Sequence, residues 1–391
     1  MTHPFTFGAP VPPELFFNRE QEVARILQRI TSIKTGVRND LALIGPRRVG
    51  KSSLLSFLEV KLRRVGIISL KIDCEGHNTY SFLKEYGNAI LEVELAQKGV
   101  RGFTERLKKG FTETISTLAE ALGIKALEIT VYDLLRLRLE LEKNSRAHPL
   151  SDEDLRTLCT QTMMLPERLS KKYVVMFDEF QETKNFPFPG NFHASFRNLT
   201  QYQKNVNYLY TGSAIGMIRE IFGDPENPLA GNVELIYIEP FSKETVDAFF
   251  RDRFKSTGKH FSSSGIDLLY ASVGGFPAYL NWLGLKINEL FPRQGEVPLS
   301  IIKDANEKLL SFESPIYQMI ERQLVRLGRM TRNILRIMAY GQSAPAIIAQ
   351  ESKVKNVYVY LNRLEKYGLI RKSQQGYELI DPVIREYLKK K

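Results

Sequence analysis

Short apolar runs alternate with helical patterns through the first 240 residues of the chain. The runs have the composition of buried parallel strands, and they are LALIG at 41–45, GIISLKID at 66–73, YVVMFD at 173–178, VNYLYTG at 206–212 and VELIYIE at 233–239. Between them, apolar residues recur at helical spacing, as they do in residues 19–34. This alternation predicts an α/β domain over residues 1–239, with a mostly parallel sheet between two layers of helices.

Other regions depart from this alternation. Residues 76–170 separate the second run from the third and contain amphipathic segments, which predict a helical insertion. Near its end, Ser151 and Asp154 have the spacing of a capping box, which predicts the start of a helix leading into the third strand. The pattern is helical from residue 240 to 315, a predicted helical lid domain, and residues 316–391 are predicted to form a further domain.

Residues 316–391 have the element order of a winged helix-turn-helix. Helices are predicted at 331–339, in APAIIAQES at 344–352 and in KVKNVYVYLNRLEKYG at 353–368, followed by a β-hairpin in LIRKSQQGYELI. Outward-facing polar side chains on the third helix and hairpin suit phosphates and the grooves of a DNA duplex. The candidates are Lys353, Lys355, Asn356, Tyr358, Asn362, Arg363, Arg371 and Lys372. Winged-helix units also bind proteins, and that alternative stays open.

The distribution of charge strengthens the prediction of a polyanionic partner. The chain has a formal net charge of +11, from 55 Lys and Arg against 44 Asp and Glu. Residues 316–391 contain 15 of these basic residues and only 6 of the acidic ones. A basic C-terminal region after a nearly neutral remainder of the chain is typical of nucleic-acid binding. A solvated basic tail would give the same net charge, and that alternative stays open.

Composition narrows the protein class. The chain has 391 residues, of which 43% are hydrophobic and 25% charged, as in ordinary globular proteins. It contains two cysteines, too few for a disulfide framework, and no apolar run of about 18 residues that would span a membrane. The N-terminal residues do not have the pattern of a signal peptide. We therefore expect a cytoplasmic protein without membrane contact.

Residues 45–52 read GPRRVGKS, which is the phosphate-binding pattern G-x-x-x-x-G-K-[ST] between a predicted strand and a predicted helix. Gly45 and Gly50 let the backbone curl so that its N–H groups point at phosphate oxygens. Lys51 would reach the β- and γ-phosphates of ATP, and the Ser52 hydroxyl would ligate Mg²⁺. The predicted nucleotide contacts here are Gly45, Pro46, Arg47, Arg48, Val49, Gly50, Lys51, Ser52 and Ser53.

Two later strands end in residues that suit hydrolysis of a bound triphosphate. Asp178 closes the third strand, where such folds place a second magnesium contact, and Glu179 follows it as the candidate general base for water. Ser213 ends the next strand, which we expect to lie between the phosphate loop and the strand of Asp178. Its hydroxyl is therefore a candidate for orienting the water beside the γ-phosphate, together with the catalytic Lys51 and Glu179.

At this point the chain resembles the archaeal ATPases of the STAND branch of AAA+-like P-loop NTPases. The resemblance rests on segments in order along the chain: FFNREQEV, GPRRVGKSSLL, VVMFDEFQE, TGS, PLAG with IEPFS, GGFPAYL, YLNRLEKYGLI and DPVIREYL. It implies that Asn18, Arg19 and Glu20 cradle adenine and ribose, and that Pro277 packs near the base. The segment PLAGN has Asn232 where the family usually has arginine, so the protein would do without that arginine or use Arg219 or Arg197 instead.

These observations predict an ATP- and Mg²⁺-binding, hydrolysing ATPase that acts as a molecular switch and positions a winged helix on duplex DNA. One alternative is a signalling or defence switch that uses the winged helix and the insertion for protein contacts. Another is an ATPase resembling replication initiators or transposition helpers. A homo-oligomer is compatible with each. The five histidines are scattered without metal-ligand spacing, which argues against a metal hydrolase or nuclease.

Overall fold

The computed structural model describes residues 4–97, 151–169 and 171–391. Most of the predicted helical insertion therefore lies outside the described residues. Its final part does not, and the capping box predicted there is confirmed: the Ser151 side chain accepts from the Asp154 N–H, and the Asp154 carboxylate accepts from the Ser151 N–H. In the part of the chain that the structure describes, no helix has the length and apolar character needed to cross a membrane.

The predicted parallel sheet is confirmed. Its strands are β1 (Leu41–Ile44), β2 (Ile68–Asp73), β3 (Tyr173–Asp178), β4 (Val206–Gly212) and β5 (Glu234–Tyr237). They lie in the order β2-β3-β4-β1-β5, and every neighbouring pair is parallel. Strands β1, β3 and β4 are buried along their whole length, which explains why their sequences are predominantly apolar.

Helices cover both faces of this sheet and form separate apolar cores with it. The helices of this part are α1 (Glu20–Ile30), α2 (Lys51–Arg64), α3 (Thr79–Gln97), α4 (Asp152–Arg168), α5 (Phe192–Thr200) and α6 (Ile215–Gly223). Because β4 pairs with both β1 and β3, their carboxyl ends meet at one edge of the sheet. That edge brings together the phosphate loop, the carboxylates after β3 and the hydroxyl after β4.

The second half of the described chain is mainly helical. Its elements are α7 (Lys243–Phe254), β6 (Lys259–His260), α8 (Ser263–Val273), α9 (Pro277–Leu290), β7 (Gly295–Glu296), α10 (Leu299–Leu309), α11 (Pro315–Val325), α12 (Arg329–Ala339), α13 (Pro345–Ser352), α14 (Tyr358–Lys366), β8 (Ile370–Ser373), β9 (Gly376–Leu379) and α15 (Pro382–Lys389). One apolar core runs without a break from Phe241 to Leu388. The predicted boundary between residues 315 and 316 lies within that core and stays a prediction.

The helix predicted from residue 353 begins later than expected. Lys353 adopts a left-handed conformation with φ of 57° and ends α13, where the Ser352 hydroxyl donates to the Ile348 carbonyl. The next helix, α14, begins at Tyr358. Lys353, Lys355 and Asn356 therefore lie in the turn between the two helices, not on the helix itself. The hairpin β8–β9 follows α14 as predicted, with antiparallel pairing from Ile370 to Leu379.

Candidate nucleotide-binding site

A cavity of about 910 Å³ opens at the carboxyl edge of the sheet. The phosphate loop lies at its centre, the carboxylates of the neighbouring strands lie at one end and aromatic side chains lie at the other. Helix α11 contributes a further wall. Ligands of open parallel sheets bind at this edge, so the fold itself makes this cavity the candidate site.

The backbone of the phosphate loop is curled by two residues with positive φ, Arg48 at 70° and Gly50 at 96°. Gly45 is required for a different reason: a Cβ at this position would lie 2.3 Å from the Ile238 carbonyl oxygen. Helix α2 begins directly after the loop, at Lys51. Its free N–H groups and positive end therefore face the cavity, which favours a bound phosphate.

Lys51 is only 5% exposed. Its Nζ donates to the carbonyl oxygens of Gly45 at 2.8 Å and Pro46 at 3.1 Å, so the ammonium is held beneath the loop. Burial lowers the pKa of Lys51, and the carboxylates of Glu179 and Asp178 oppose that shift. The lysine is the buried cation that the sequence pattern predicts at this point, and an incoming phosphate would satisfy its charge better than neutral carbonyls can.

Asp178 lies directly beside the hydroxyl of Ser52, whose Oγ donates to the carboxylate at 2.7 Å. The Thr211 hydroxyl donates to the other carboxylate oxygen, and the Lys71 Nζ lies 3.8 Å away. Neither Thr211 nor Lys71 is among the site residues predicted from the sequence. Both are polar residues in mostly apolar strands, β4 and β2, but each strand contains another polar residue, so the pattern alone does not single them out.

Glu179 follows Asp178 in a left-handed conformation, with φ of 51°. Its carboxylate accepts from the Ser213 backbone N–H at 3.1 Å and from the Ser213 hydroxyl at 2.6 Å. Burial acts to raise the pKa of Glu179, but the charges of Lys51 and Arg47 and the hydrogen bonds from Ser213 and Gln181 together hold that pKa below its ordinary value. The carboxylate is therefore ionised at neutral pH and fixed next to Ser213.

The opposite end of the cavity is aromatic. Phe16, Phe17, Phe241, Phe249 and Pro277 line it, a composition that suits the flat face of a nucleobase. Of this group, only Pro277 was predicted from the sequence. The phenylalanines lie in segments that read as ordinary apolar positions in the sequence, and only the fold brings them together.

Arg19 and Asn18 have different positions relative to this end. Arg19 is buried and lines the cavity, but its guanidinium donates to the carbonyls of Val49 at 3.0 Å and Glu239 at 2.8 Å. Arg19 thus holds the backbone of the phosphate loop through Val49. Asn18 is not among the described residues that line the cavity, and its amide nitrogen lies 3.5 Å from the Thr245 hydroxyl. The structure therefore does not bring the Asn18 side chain to the expected base pocket.

Arg48 also differs from the expectation for a phosphate-loop residue. Its guanidinium is 3.1 Å from the Asp381 carboxylate, 333 residues away in the sequence, and donates to the Gln323 side chain at 2.9 Å. Tyr279 donates to the same carboxylate at 2.6 Å. This buried network joins the loop to α9, α11 and the start of α15. Nothing in a local sequence pattern indicates a contact over such a separation.

The two arginines considered as substitutes at Asn232 lie elsewhere. Arg219 donates to the Tyr237 hydroxyl at 2.6 Å, and Arg197 donates to the Pro228 carbonyl at 2.7 Å. Neither is among the described residues that line the cavity, whereas Arg322 and Arg326 of α11 and the turn after it are.

The predicted nucleic-acid contacts all lie on the surface. Tyr358 is 55% exposed on the first turn of α14. Some of the predicted cations have acidic or aromatic partners: Arg371 is 2.6 Å from Glu378, Lys372 is 3.8 Å from Glu365, and Arg363 stacks over the Tyr367 ring at 5.8 Å.

Comparisons with known proteins agree with this geometry. Two solved structures are similar in fold across nearly the whole chain. The Walker-type ATPase of Pyrococcus abyssi is 21% identical, with a TM-score of 0.69 and coverage of 99% of each chain. The ORC2 protein of Aeropyrum pernix, solved as ADPNP–ADP complexes, is 11% identical, with a TM-score of 0.58 and coverage of 100% of this chain and 96% of that one. No curated protein matches the chain.

A family model also matches the sequence directly. Its description is an ATPase domain found predominantly in Archaea, and the match runs over residues 16–283. It includes the phosphate loop, both strand-end carboxylates and Pro277. The resemblance seen in the sequence is thereby confirmed at the level of the family, and so is the α/β fold of P-loop ATPases. The chain therefore belongs to this predominantly archaeal family of nucleotide-binding ATPases.

Proposed function

We propose that this ATPase is a switch, in which Mg-ATP bound at the phosphate loop controls how the basic C-terminal region meets duplex DNA. The observation that carries the proposal is the buried contact between Arg48 of the loop and Asp381 at the start of α15. Nucleotide binding acts on the loop, and the loop is bonded to the C-terminal region. This contact is thus one route by which a change at the loop would reach the C-terminal region.

The cavity supports the magnesium part of the proposal. The Ser52 hydroxyl and the Asp178 carboxylate are 2.7 Å apart, and both are hard oxygen ligands of the kind that Mg²⁺ prefers. These two residues would hold the ion, directly or through water. When bound, the ion neutralises charge on the phosphates. Thr211, which donates to Asp178, fixes the orientation of the carboxylate.

Hydrolysis requires a base near the attacking water, and Glu179 fits that role. Its pKa is held below the ordinary value, so the carboxylate can accept a proton at neutral pH. Ser213 and Gln181 hold it in place through hydrogen bonds. Lys51 is positioned to balance the charge of the β- and γ-phosphates from below the loop.

The C-terminal region contacts the ATPase sheet at a second point. A Cβ on Gly368, just after α14, would lie 2.6 Å from the Ser213 carbonyl oxygen. A Cβ on Gly216 would lie 2.6 Å from the Lys366 Cα. The end of α14 thus abuts the turn that carries Ser213, the candidate for orienting the water beside the γ-phosphate. Both elements expected to respond to the nucleotide are in contact with the region proposed to bind DNA.

Three helices followed by a hairpin, α12 to β9, have the order of a winged helix, and we assign them that role. The turn before α14 presents Lys353, Lys355 and Asn356 to solvent, and the first turn of α14 presents Tyr358. Such groups suit phosphate and groove contacts on duplex DNA. The basic excess in residues 316–391 supplies the long-range attraction.

The test compares the affinity of the full chain for a labelled duplex in two nucleotide states. Glu179→Gln with ATP should bind DNA more tightly than the wild type with ADP. Asp381→Asn is the sharper variant, because asparagine still caps α15 but removes the charge paired with Arg48. It should make DNA affinity nearly independent of the nucleotide. Glu179→Gln with ATP and the wild type with ADP both retain Asp381. Equal DNA affinities of these two, with nucleotide occupancy confirmed, would contradict the switch.

A second function is favoured by one observation. Tyr358 and Val359 are 55% and 61% exposed on the first turn of α14, and exposed apolar side chains of this kind are common at protein interfaces. The C-terminal region would then bind a protein, as in a signalling or defence switch. DNA binding depends strongly on salt because phosphate contacts release counterions. A salt slope near zero for duplex DNA would favour the protein partner.

A further inference from the structure

One face of α11 is turned toward the nucleotide cavity along its whole length. The lining residues of this helix and of the turn after it are Pro315, Gln318, Met319, Arg322, Gln323 and Arg326. Their separations of three and four residues place them on a single helical face. This segment lies beyond residues 16–283, which the family model matches. The cavity therefore has a wall that the recognised ATPase domain does not supply.

Two arginines lie on that face, four residues apart. The Arg326 side chain is 78% exposed, and its one ion pair among the described residues is with Glu75 at 4.0 Å. Arg322 is also exposed, and it has no hydrogen-bonding or ionic partner in the part of the chain that the structure describes. The Gln323 side chain accepts from Arg48, which ties this face of α11 to the phosphate loop. The helix is thus fixed against the loop while the two guanidinium groups stay available.

The position of Glu75 shows which end of the cavity these arginines occupy. Glu75 lies just after β2, and the adjacent Cys74 N–H donates to the Asp178 carbonyl at 2.9 Å. Arg47 of the phosphate loop also contacts Glu75, at 3.8 Å. Arg326 and Arg47 therefore share one carboxylate beside Asp178, at the end opposite the phenylalanines. This is the end where the terminal phosphate of a bound triphosphate would lie.

We propose that Arg322 and Arg326 bind the terminal phosphate of ATP within the same chain and stabilise the charge that develops there during hydrolysis. The position of Asn232, where the family usually has arginine, carries no charge here. Planar guanidinium groups suit phosphate oxygens, and carboxylate Glu75 is the partner that the phosphate would displace. The proposal rests on ATP binding at the phosphate loop and is independent of DNA binding.

The experiment measures ATP and ADP affinities together with steady-state hydrolysis for Arg322→Ala, Arg326→Ala and the double variant. Arg329→Ala is the matched control, because Arg329 is an exposed arginine three residues farther along that does not line the cavity. The double variant should lose about 10²-fold or more in kcat and about tenfold in ATP affinity. Its ADP affinity should stay within about twofold of the control.

Several outcomes would overturn the proposal. One is a double variant whose kcat and ratio of ATP to ADP affinity match those of Arg329→Ala. Another is restored hydrolysis when the double variant is mixed with Glu179→Gln, because that would place the arginines in the site of a neighbouring chain. Loss of ADP binding as well, as expected for Lys51→Ala, would show a damaged nucleotide site and would also reject the proposed selectivity for the terminal phosphate.

A conservative variant distinguishes the loss of a phosphate contact from a folding defect. Arg326→Lys keeps the charge and most of the length but loses the planar fork. It should recover part of the ATP affinity lost by Arg326→Ala and less of the kcat. If alanine and lysine variants are equally impaired while their thermal unfolding is unchanged, charge at this position does not act on the phosphate and the proposal fails.

Discussion

Charged side chains are arranged in opposite ways in two regions of this molecule. At the carboxyl edge of the sheet they are buried and hydrogen-bonded to neighbouring polar groups: Lys51 and Asp178 are each 5% exposed, and Glu179 accepts from Ser213. In the C-terminal region, the predicted DNA contacts such as Lys355 and Arg363 are exposed to solvent. Function at the sheet edge should therefore depend on the identity of each residue, whereas DNA binding by the basic surface should depend mainly on its total charge.

The difference has a physical cause. Removing one member of a buried ionic cluster leaves its partner desolvated and unpaired, which typically costs about 3–5 kcal/mol. An exposed ion pair contributes about 0–1 kcal/mol and is screened by salt. A single substitution should therefore abolish function at the sheet edge, while the basic surface should lose function gradually. The following variants test that contrast.

Lys51→Ala should have the largest effect. We propose the buried ammonium as the main cationic partner for the phosphates, and alanine would leave Glu179 and Asp178 without the charge that balances them. We expect Mg-ATP to give no measurable thermal stabilisation of this variant. Lys372→Ala, which removes an exposed lysine, should be stabilised by Mg-ATP as the wild type is. Equal stabilisation of Lys51→Ala and Lys372→Ala would contradict the assignment of the phosphate site.

Glu179→Gln should separate nucleotide binding from hydrolysis. Glutamine retains the size of the side chain and a hydrogen bond with Ser213, but it cannot accept the proton from water. Loss of a general base commonly reduces the rate by about 10²–10⁴. ATP affinity from calorimetry should stay within a few-fold of the wild type. Rapid phosphate release by the variant would place the base on another residue.

The sheet edge could be predicted from the sequence because its elements are local. The strands are mostly apolar runs, and the loop between Gly45 and Ser52 has a fixed spacing, so the parallel sheet and the order of the site residues followed directly. The network of Arg48 and Asp381 could not be predicted, because it joins residues 333 positions apart. Likewise, the sequence suggested a helix from Lys353, whereas Lys353 adopts a left-handed conformation that ends α13, and α14 begins only at Tyr358.

His193 provides a pH-dependent test of a buried group in the ATPase domain. Its Nε2 lies 2.9 Å from the Thr183 hydroxyl, which itself donates to the Phe180 carbonyl, so the imidazole is the donor. The Asn227 amide lies 3.3 Å from Nδ1 and donates to it. A neutral ring satisfies both contacts. Burial, with a smaller contribution from the charge of Lys184, accordingly lowers the pKa of His193 to about 4.

This lowered pKa predicts a loss of stability in acid. Between about pH 6.5 and pH 4 the unfolded chain binds a proton at this histidine that the folded chain does not, so the free energy of unfolding falls as pH falls through that window. The loss should approach about 3 kcal/mol. His193→Gln should remove this part of the pH dependence in denaturant titrations, and substitution of the exposed His260 should not. An unchanged profile in His193→Gln would show that the ring is not buried in its neutral form.

The smallest effects are expected within the basic surface, where two cations can be compared. Lys355 is exposed in the turn before α14, whereas Arg371 is 2.6 Å from Glu378 and already partly neutralised. If the C-terminal region binds DNA, Lys355→Ala should weaken binding and lower the salt slope by about 0.9, the value for one phosphate contact. Arg371→Ala should change the slope less, because its charge is shared with a carboxylate. The measurement is duplex affinity of the full chain at several salt concentrations. A larger slope change for Arg371→Ala would mean that DNA displaces Glu378, and that the hairpin rather than the turn makes the main phosphate contact.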